Sequence, residues 1–336
     1  MSYPRSSIRY VRYAVQIAFL LITLYAGWEF HQFVLHFEEP GRPFVTRPPS
    51  VDAYLPIGAL MAFKYFVITG NVEPIHPSGL IMFIAIIGVS LLLKKGFCGW
   101  ICPVGTVSQY AWMAGEKVFG RNFRIEQYTD IGLRSIKYVI LSLFFWVIVV
   151  AMGSTMISMF FMSDYYLVAD VKMLKFFTDM TSLTFWVLVV LVALSVLYKN
   201  FWCRYLCPYG ALLGIISRWS PLKIRRNEEK CIHCHACTKA CPALIDVEKK
   251  DVVKSGECFG CMTCVSRCPS PGALDMTVKA GKKMSVLKPI LYPILLIVLF
   301  YLVISIGMLT GNWHSKIPYE QYQRLIPEVS HMEHPG

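Results

Sequence analysis

Charge is scarce in this sequence. Asp, Glu, Lys and Arg together make up 16% of its 336 residues, where soluble domains carry roughly a quarter. Acidic residues are the scarcer class, 21 against 33 basic ones. With 55% hydrophobic residues and a mean hydropathy of +0.50, the chain is too apolar for a soluble protein. The formal charge of +12 does not point to nucleic acid, because the basic residues flank apolar runs, as they do at a membrane surface. No cysteine stands alone. All 12 fall in clusters with ligand-like spacing, which leaves none for a disulfide framework and places their side of the chain in a reducing compartment. No cleavable signal peptide is evident either. The first apolar run is too long for the core of one, so it reads as a retained anchor.

The apolar runs predict a mainly α, polytopic helical membrane protein. About five spans are expected, near residues 14–34, 80–93, 136–160, 183–197 and 287–309. The run at 55–69 is too short to cross a bilayer straight and contains Lys64, so it is expected to be re-entrant or interfacial. Residues 103–124 are expected to form another interfacial helix, 163–180 an outer connection and 311–336 a polar tail. Lys94, Lys95 and Lys199 read as stops at the ends of spans. The segments 1–13, 94–137 and 199–288 hold 26 of the 33 Lys and Arg residues, which puts the N-terminus and every cysteine in the cytoplasm and the tail outside. The expected domains are a membrane domain at 1–220, a small inserted α+β domain at 221–280, a last membrane helix at 281–310 and a periplasmic tail at 311–336.

The inserted domain carries the strongest signal. It reads Cys231-Ile-His-Cys234-His-Ala-Cys237-Thr-Lys-Ala-Cys241-Pro242, then Cys258-Phe-Gly-Cys261-Met-Thr-Cys264-Val-Ser-Arg-Cys268-Pro269. This C-x2-C-x2-C-x3-C-P run, written twice, is the bacterial ferredoxin pattern for two [4Fe–4S] clusters. The fourth Cys of each run serves the other cluster in such proteins. Cys231, Cys234, Cys237 and Cys268 are therefore expected at one cluster, and Cys258, Cys261, Cys264 and Cys241 at the second. The competing reading is a pair of zinc knuckles, since C-x2-C pairs also bind zinc. His233 and His235 read as solvent-side neighbours of the first loop.

A second pair of motifs lies upstream. Lys95-Gly-Phe-Cys98-Gly-Trp-Ile-Cys102-Pro103-Val-Gly105 resembles Asn200-Phe-Trp-Cys203-Arg-Tyr-Leu-Cys207-Pro208-Tyr-Gly210, an internal repeat of about one helical hairpin. Pro103 and Pro208 suit a first helical position, which puts Cys102 and Cys207 at helix N-caps that favour thiolate. If the hairpins lie side by side, Cys98, Cys102, Cys203 and Cys207 converge on a third metal centre, an iron–sulfur one between quinone and the ferredoxin clusters. The alternative is redox-active or structural thiols without metal.

Two Cys-x3-Cys-Pro motifs followed by a two-cluster ferredoxin segment resemble the NapH/NosR/CcoG-like family of polytopic membrane ferredoxin-type proteins. The pattern Arg47-Pro-Pro, Leu55-Pro-Ile, Lys64, Thr69-Gly and Ile75-His76-Pro77 looks like that of its shorter NapH- and YccM-like members. The resemblance covers about residues 40–310. It implies electron transfer in the bacterial inner membrane between the quinone pool and a redox partner: a cytochrome, a ferredoxin-type subunit or a reductase. The large flavin-binding domain of NosR-like members and the soluble C-terminal domain of CcoG-like members are not matched, so those activities are not implied. Candidates to meet quinone are Trp100, Tyr110, Trp202 and Tyr205 beside the cysteine turns, and Glu29, His31 and His76 on the outer side. Aromatics there also read as interface anchors. Another function is copper-linked assembly, from His314, His331, Met332 and His334 in the tail. Redox-coupled transport is disfavoured by the few ionisable residues in the spans.

Overall fold

The computed structural model describes residues 7–280 and 283–332. Arg5 and His334 lie outside the described residues. The membrane portion consists of α1 (Ile8–Glu38), α2 (Pro56–Thr69), α3 (Pro77–Leu92), α4 (Gly96–Trp100), α5 (Pro103–Phe119), α6 (Gln127–Phe145), α7 (Ser154–Phe161), α8 (Asp164–Leu167), α9 (Ala169–Thr178), α10 (Ser182–Leu197) and α11 (Pro208–Ile216). Strand β1 (Leu222–Arg226), the short helices α12 (Ala236–Lys239) and α13 (Thr263–Arg267), and strands β2 (Leu274–Ala280) and β3 (Lys283–Val286) follow. Helices α14 (Leu291–Leu309) and α15 (Tyr319–Leu325) close the chain.

Among the described residues, three helices are long and apolar enough to cross a membrane: Ile8–Glu38, Gln127–Ala151 and Leu291–Leu309. The pair α9 and α10, bent by 78°, makes a fourth if it counts as one span. The protein is membrane-bound, but the number set by helix length is three to four. At 1.5 Å per residue, the 16 residues of α3 cover only about 24 Å of a hydrocarbon core about 30 Å thick.

The expected span at 136–160 is displaced. The helix starts at Gln127, widens into a π turn at Trp146–Ala151 and breaks at Gly153, whose backbone is extended (φ −72°, ψ 165°). The break leaves carbonyls without helical partners. Lys64 Nζ takes up Ile148 O and Val149 O at 3.0 Å each, and Met152 O as well. The ionisable residue in the short apolar helix α2 is thus a C-cap for its neighbour, the cation placement that helix ends favour.

The chain divides into two compact units, and the division falls inside α1, α3, α6, α10 and α14. One unit comprises Met1–Leu21, Ile86–Leu141 and Val189–Phe300. Its sheet has the order β1-β2-β3, all antiparallel, with Leu222 opposite Val278 and Arg226 opposite Leu274. Because β1 precedes the cysteine runs and β2 follows them, this pairing closes the whole cysteine stretch into one loop. Strand β3 carries the sheet past residue 280 to Val286. Helix α5 crosses α10 at Gly115, where a Cβ would sit 1.9 Å from Val196 O, so only glycine permits this approach. The lysines expected to stop spans are interior here. Lys94 and Lys95 are each 1% exposed, and Lys199 is also buried.

The other unit comprises Ile22–Ala85, Ser142–Leu188 and Tyr301–Gly336. Part of the expected polar tail belongs to its core. Tyr322, Leu325, Ile326 and Val329 are buried with Phe30, Phe33 and Val34 of α1 and with Leu167, Val168 and Val171. Each such apolar side chain contributes about 1.5–3 kcal/mol by leaving water. A second core joins Met61, Ala62, Leu80, Ile148, Ile157, Phe161 and Tyr166.

Candidate functional site

The two ferredoxin runs fold alike. His233 and His235 in the first run have φ +51° and +58°; Gly260 and Met262, at the same places in the second, have +61° and +56°. Left-handed residues are costly for non-glycine side chains. Their recurrence means that both runs wrap the same object, with successive backbone N–H groups forming a concave anion cradle. One small cavity, about 20 Å³, is lined by Cys231, Cys234, Cys237 and Cys268. The other, also about 20 Å³, is lined by Cys241, Cys258, Cys261 and Cys264. Each cavity draws three cysteines from one run and one from the other.

These quartets are open. Among the described residues, no three cysteine sulfurs lie within 4.8 Å of one another; the group that meets this spacing is Asp52, His76 and Asp170. A tetrahedral zinc at 2.3 Å from each sulfur would hold them about 3.8 Å apart. The spacing suits a polynuclear cluster and disfavours the zinc reading. Burial pushes the Cys241 thiol up to about 12 and also raises those of Cys258 and Cys264, so these three would stay neutral as free thiols. A cluster fits because coordination to iron removes that barrier to thiolate.

His233 and His235 lie on the open side, their side chains 55% and 59% exposed. Both face the Glu248 carboxylate, His233 with Nδ1 3.0 Å away. Cys234 is exposed, whereas Cys241 and Cys264 are buried. One cavity therefore lies near solvent and the other in the interior.

The upstream motifs converge. Cys102 and Cys207 are the N-caps of α5 and α11, with Pro103 and Pro208 at the first helical positions, and Cys207 Sγ accepts from Gly210 N at 3.2 Å. Cys98, Cys102, Cys203 and Cys207 act on one another electrostatically, and the Lys95 ammonium acts on Cys98, Cys203 and Cys207. The expected gain of thiolate from the helix end is overridden at Cys102. Burial pushes its thiol up to about 11, although the Gly105 and Val104 N–H groups pull it down. Cys98 and Cys203 are raised for the same reason, burial first and neighbouring thiols next. With the Cys98, Cys102 and Cys203 thiols kept from ionising and the buried Lys95 ammonium beside them, the four cysteines suit a thiolate-bound cluster.

Hydrogen bonds tie these motifs to the ferredoxin runs. Trp100 Nε1 donates to Gly260 O at 3.2 Å. Asn200 Nδ2 donates to Pro242 O at 3.1 Å, and Arg204 Nη1 to Ala243 O at 2.6 Å. Arg204 also grips Asp130 of α6 through two bonds of 2.8 and 2.7 Å. All three contacts reach residues beside the interior cavity. Sequence patterning missed Arg204, Asp130, Glu257 and the interior role of Lys95. Only the mismatch of charges inside apolar surroundings could have flagged them.

The quinone candidates are not brought together. Trp100 is 0% exposed and packed against Tyr292, so it is an internal strut and no interface anchor. Tyr205 is buried, its hydroxyl donating to Asp130 at 2.6 Å. Trp202 is half-buried, and the Tyr110 hydroxyl has no hydrogen-bond partner. In the other unit, Glu29 accepts from Tyr25 at 2.9 Å on α1, the helix that also carries half-buried His31. His76 is buried, with Nδ1 2.9 Å from Asp52 and Nε2 2.9 Å from Tyr166 O. Arg47 pairs with both Asp52 and Asp170, at 2.6 Å to the latter. A guanidinium already holds these carboxylates, so the cluster is an ion-pair lock and no metal site. Among the described residues, His314 and His331 join no ligand group.

Comparison with known proteins agrees with this geometry. A 4Fe-4S binding domain family matches residues 75–126 and 178–227, and a 4Fe-4S dicluster domain family matches residues 223–269. YccM of Escherichia coli K12, named for electron transport, is 41% identical over 96% of this chain and 91% of its own length. The ferredoxin-type protein NapH of Haemophilus influenzae is 29% identical over 56% of this chain and 63% of its own. The regulatory protein NosR of Stutzerimonas stutzeri is 24% identical over 57% of this chain, but the match spans only 27% of NosR. No solved structure matches. The chain belongs to the NapH/NosR-like family of membrane 4Fe-4S ferredoxin-type proteins, whose work is iron–sulfur electron transfer.

Proposed function

We propose that the protein is a membrane conduit for single electrons between the quinone pool and a partner redox protein. Cys231, Cys234, Cys237 and Cys268 would hold the outer [4Fe–4S] cluster, and Cys241, Cys258, Cys261 and Cys264 the inner one. Cys98, Cys102, Cys203 and Cys207 would hold a third centre. When bound, these clusters supply one-electron redox chemistry. The chain's own residues set the order. Trp100, Asn200 and Arg204 clamp the upstream motifs onto the loops of the inner cavity, while exposed Cys234, His233 and His235 present the outer cavity to a partner. Buried Lys95, paired with Glu257, sets a fixed positive charge beside Cys98, Cys203 and Cys207.

The observation that carries this reading is the lining of two cavities by crossed cysteine quartets. The domain match over both Cys-x3-Cys-Pro hairpins supports the third centre. Five crossings, made by the three long helices, the bent pair and α3, with all cysteines on the cytoplasmic side, accord with the location of 26 of the 33 basic residues. Anaerobic iron quantitation and EPR test the proposal. We expect about twelve irons per chain, about eight after Cys98→Ser with Cys203→Ser, and cluster reduction on adding a quinol analogue. Eight irons in both proteins sinks the third centre. No reduction by quinol sinks the link to the quinone pool.

A further inference from the structure

A cavity of about 480 Å³ opens in the cysteine-bearing unit. Its wall holds five cations, Arg9, Arg12, Lys199, Lys239 and Arg267, and a single carboxylate, Glu116. Arg12 is only 3% exposed, yet its Nε has no hydrogen-bond partner among the described residues. The same holds for Nε1 of Trp112, 9% exposed and also in the wall. Lys199 is buried as well and stands 4.7 Å over the Trp112 ring. Burying cations and N–H donors without acceptors is unfavourable. Glu116 can answer one of them. Lys239 and Arg267 come from the two cysteine runs, whereas Arg9 and Arg12 belong to α1.

The unmet chemistry is specific. Several cations line a space large enough for a small oxyanion. A phosphodiester accepts from guanidinium and ammonium groups together and offsets part of their charge. A neutral quinone would accept hydrogen bonds but leave the charge uncompensated. Arg9 and Arg12 sit in the first turns of α1, just before its long apolar run, so the cavity opens at the level of lipid head groups. We propose that this cavity binds a phosphate group, supplied by an anionic phospholipid. The bound head group would staple α1 to α5 and to both ferredoxin runs. This inference is independent of the electron path.

The test uses the full-length, cluster-loaded protein in detergent, examined by native mass spectrometry with phosphatidylglycerol, with phosphatidylcholine and with inorganic phosphate. Phosphatidylglycerol is expected to be retained and phosphatidylcholine to be lost. Arg12→Gln should weaken retention roughly fivefold, as should Lys239→Gln at the rim, with the effects compounding in the double variant. Iron content is read in parallel to show that each variant is folded. Retention of phosphatidylglycerol identifies lipid as the source. Raised melting temperature with inorganic phosphate alone, lost in the variants, supports the phosphate site with free phosphate as its occupant. Equal retention of both lipids, indifference to the substitutions, or displacement of the ligand by a quinone analogue overturns the proposal.

Discussion

Lys137 Nζ lies 2.6 Å from Glu257 Oε1, with the lysine side chain wholly buried and the glutamate 11% exposed. Lys137 belongs to α6, and Glu257 immediately precedes Cys258, so the pair fastens a membrane helix to the second cysteine run. Tyr138 adds a bond of 3.2 Å to the same oxygen, and Lys95 stands 3.9 Å from the other. Burial alone would raise the Glu257 carboxyl, but Lys95 and Lys137 hold it below the usual range.

Removing the acid should therefore cost more than removing either base. Glu257→Ala leaves two buried ammonium groups unpaired, and about 3–5 kcal/mol of stability should be lost. Lys137→Met should cost less, because Lys95 still faces the carboxylate. Denaturant titration of the detergent-solubilised protein reads both. Equal losses would show that Lys95 plays no part in the pair.

Crossed ligation makes the cysteine variants non-local. Cys241→Ser, in the first run, should damage the cluster of the second run. Cys268→Ser, in the second run, should damage that of the first. EPR of each reduced variant shows which signal survives. Loss of the signal belonging to the variant's own run would refute the crossing.

The lock around His76 should make stability depend on pH at both ends. Burial would raise the Asp52 carboxyl, but Arg47 and His76 hold it far below the usual range, so its contribution is present above about 3.9 and lost as pH falls through its lower folded value. His76 is opposed by burial yet held up by Asp52, so its contribution is complete below about 6.5 and lost as pH rises through its raised folded value. Melting temperatures between pH 6 and 10 should fall more steeply for the native protein than for His76→Gln. Parallel curves would mean that His76 is already neutral.

Lys64→Met should expose the cost of an uncapped helix end. Three carbonyls, of Ile148, Val149 and Met152, lose their donor. At about 1–3 kcal/mol for each buried group left unsatisfied, the variant should lose several kcal/mol unless water enters. Hydrogen exchange localised to residues 146–153 would show the fraying. Protection equal to that of the native protein would remove the capping role.

The cysteine runs were legible because their information is local. A spacing of two and three residues with a closing proline dictates a tight wrap, and the positive φ values at His233 and Gly260 are its direct product. Helix positions were mostly legible from hydropathy. The errors came where polar residues override it: Lys64 and Gly153 end a helix that hydropathy alone would extend, and Tyr322, Leu325, Ile326 and Val329 are buried in a tail that looked polar. Lys94, Lys95 and Lys199 read as stops at a membrane surface because sequence cannot say whether a cation faces water or a buried thiol. By itself the sequence determined that this is a membrane-bound iron–sulfur protein, since ligand type, ligand spacing and apolar length are properties of short segments. Only the tertiary structure decided that Cys98 and Cys102 face Cys203 and Cys207, and which charges are buried with them. Those groups lie far apart along the chain, and their meeting depends on helix packing such as the approach at Gly115, which no local pattern encodes.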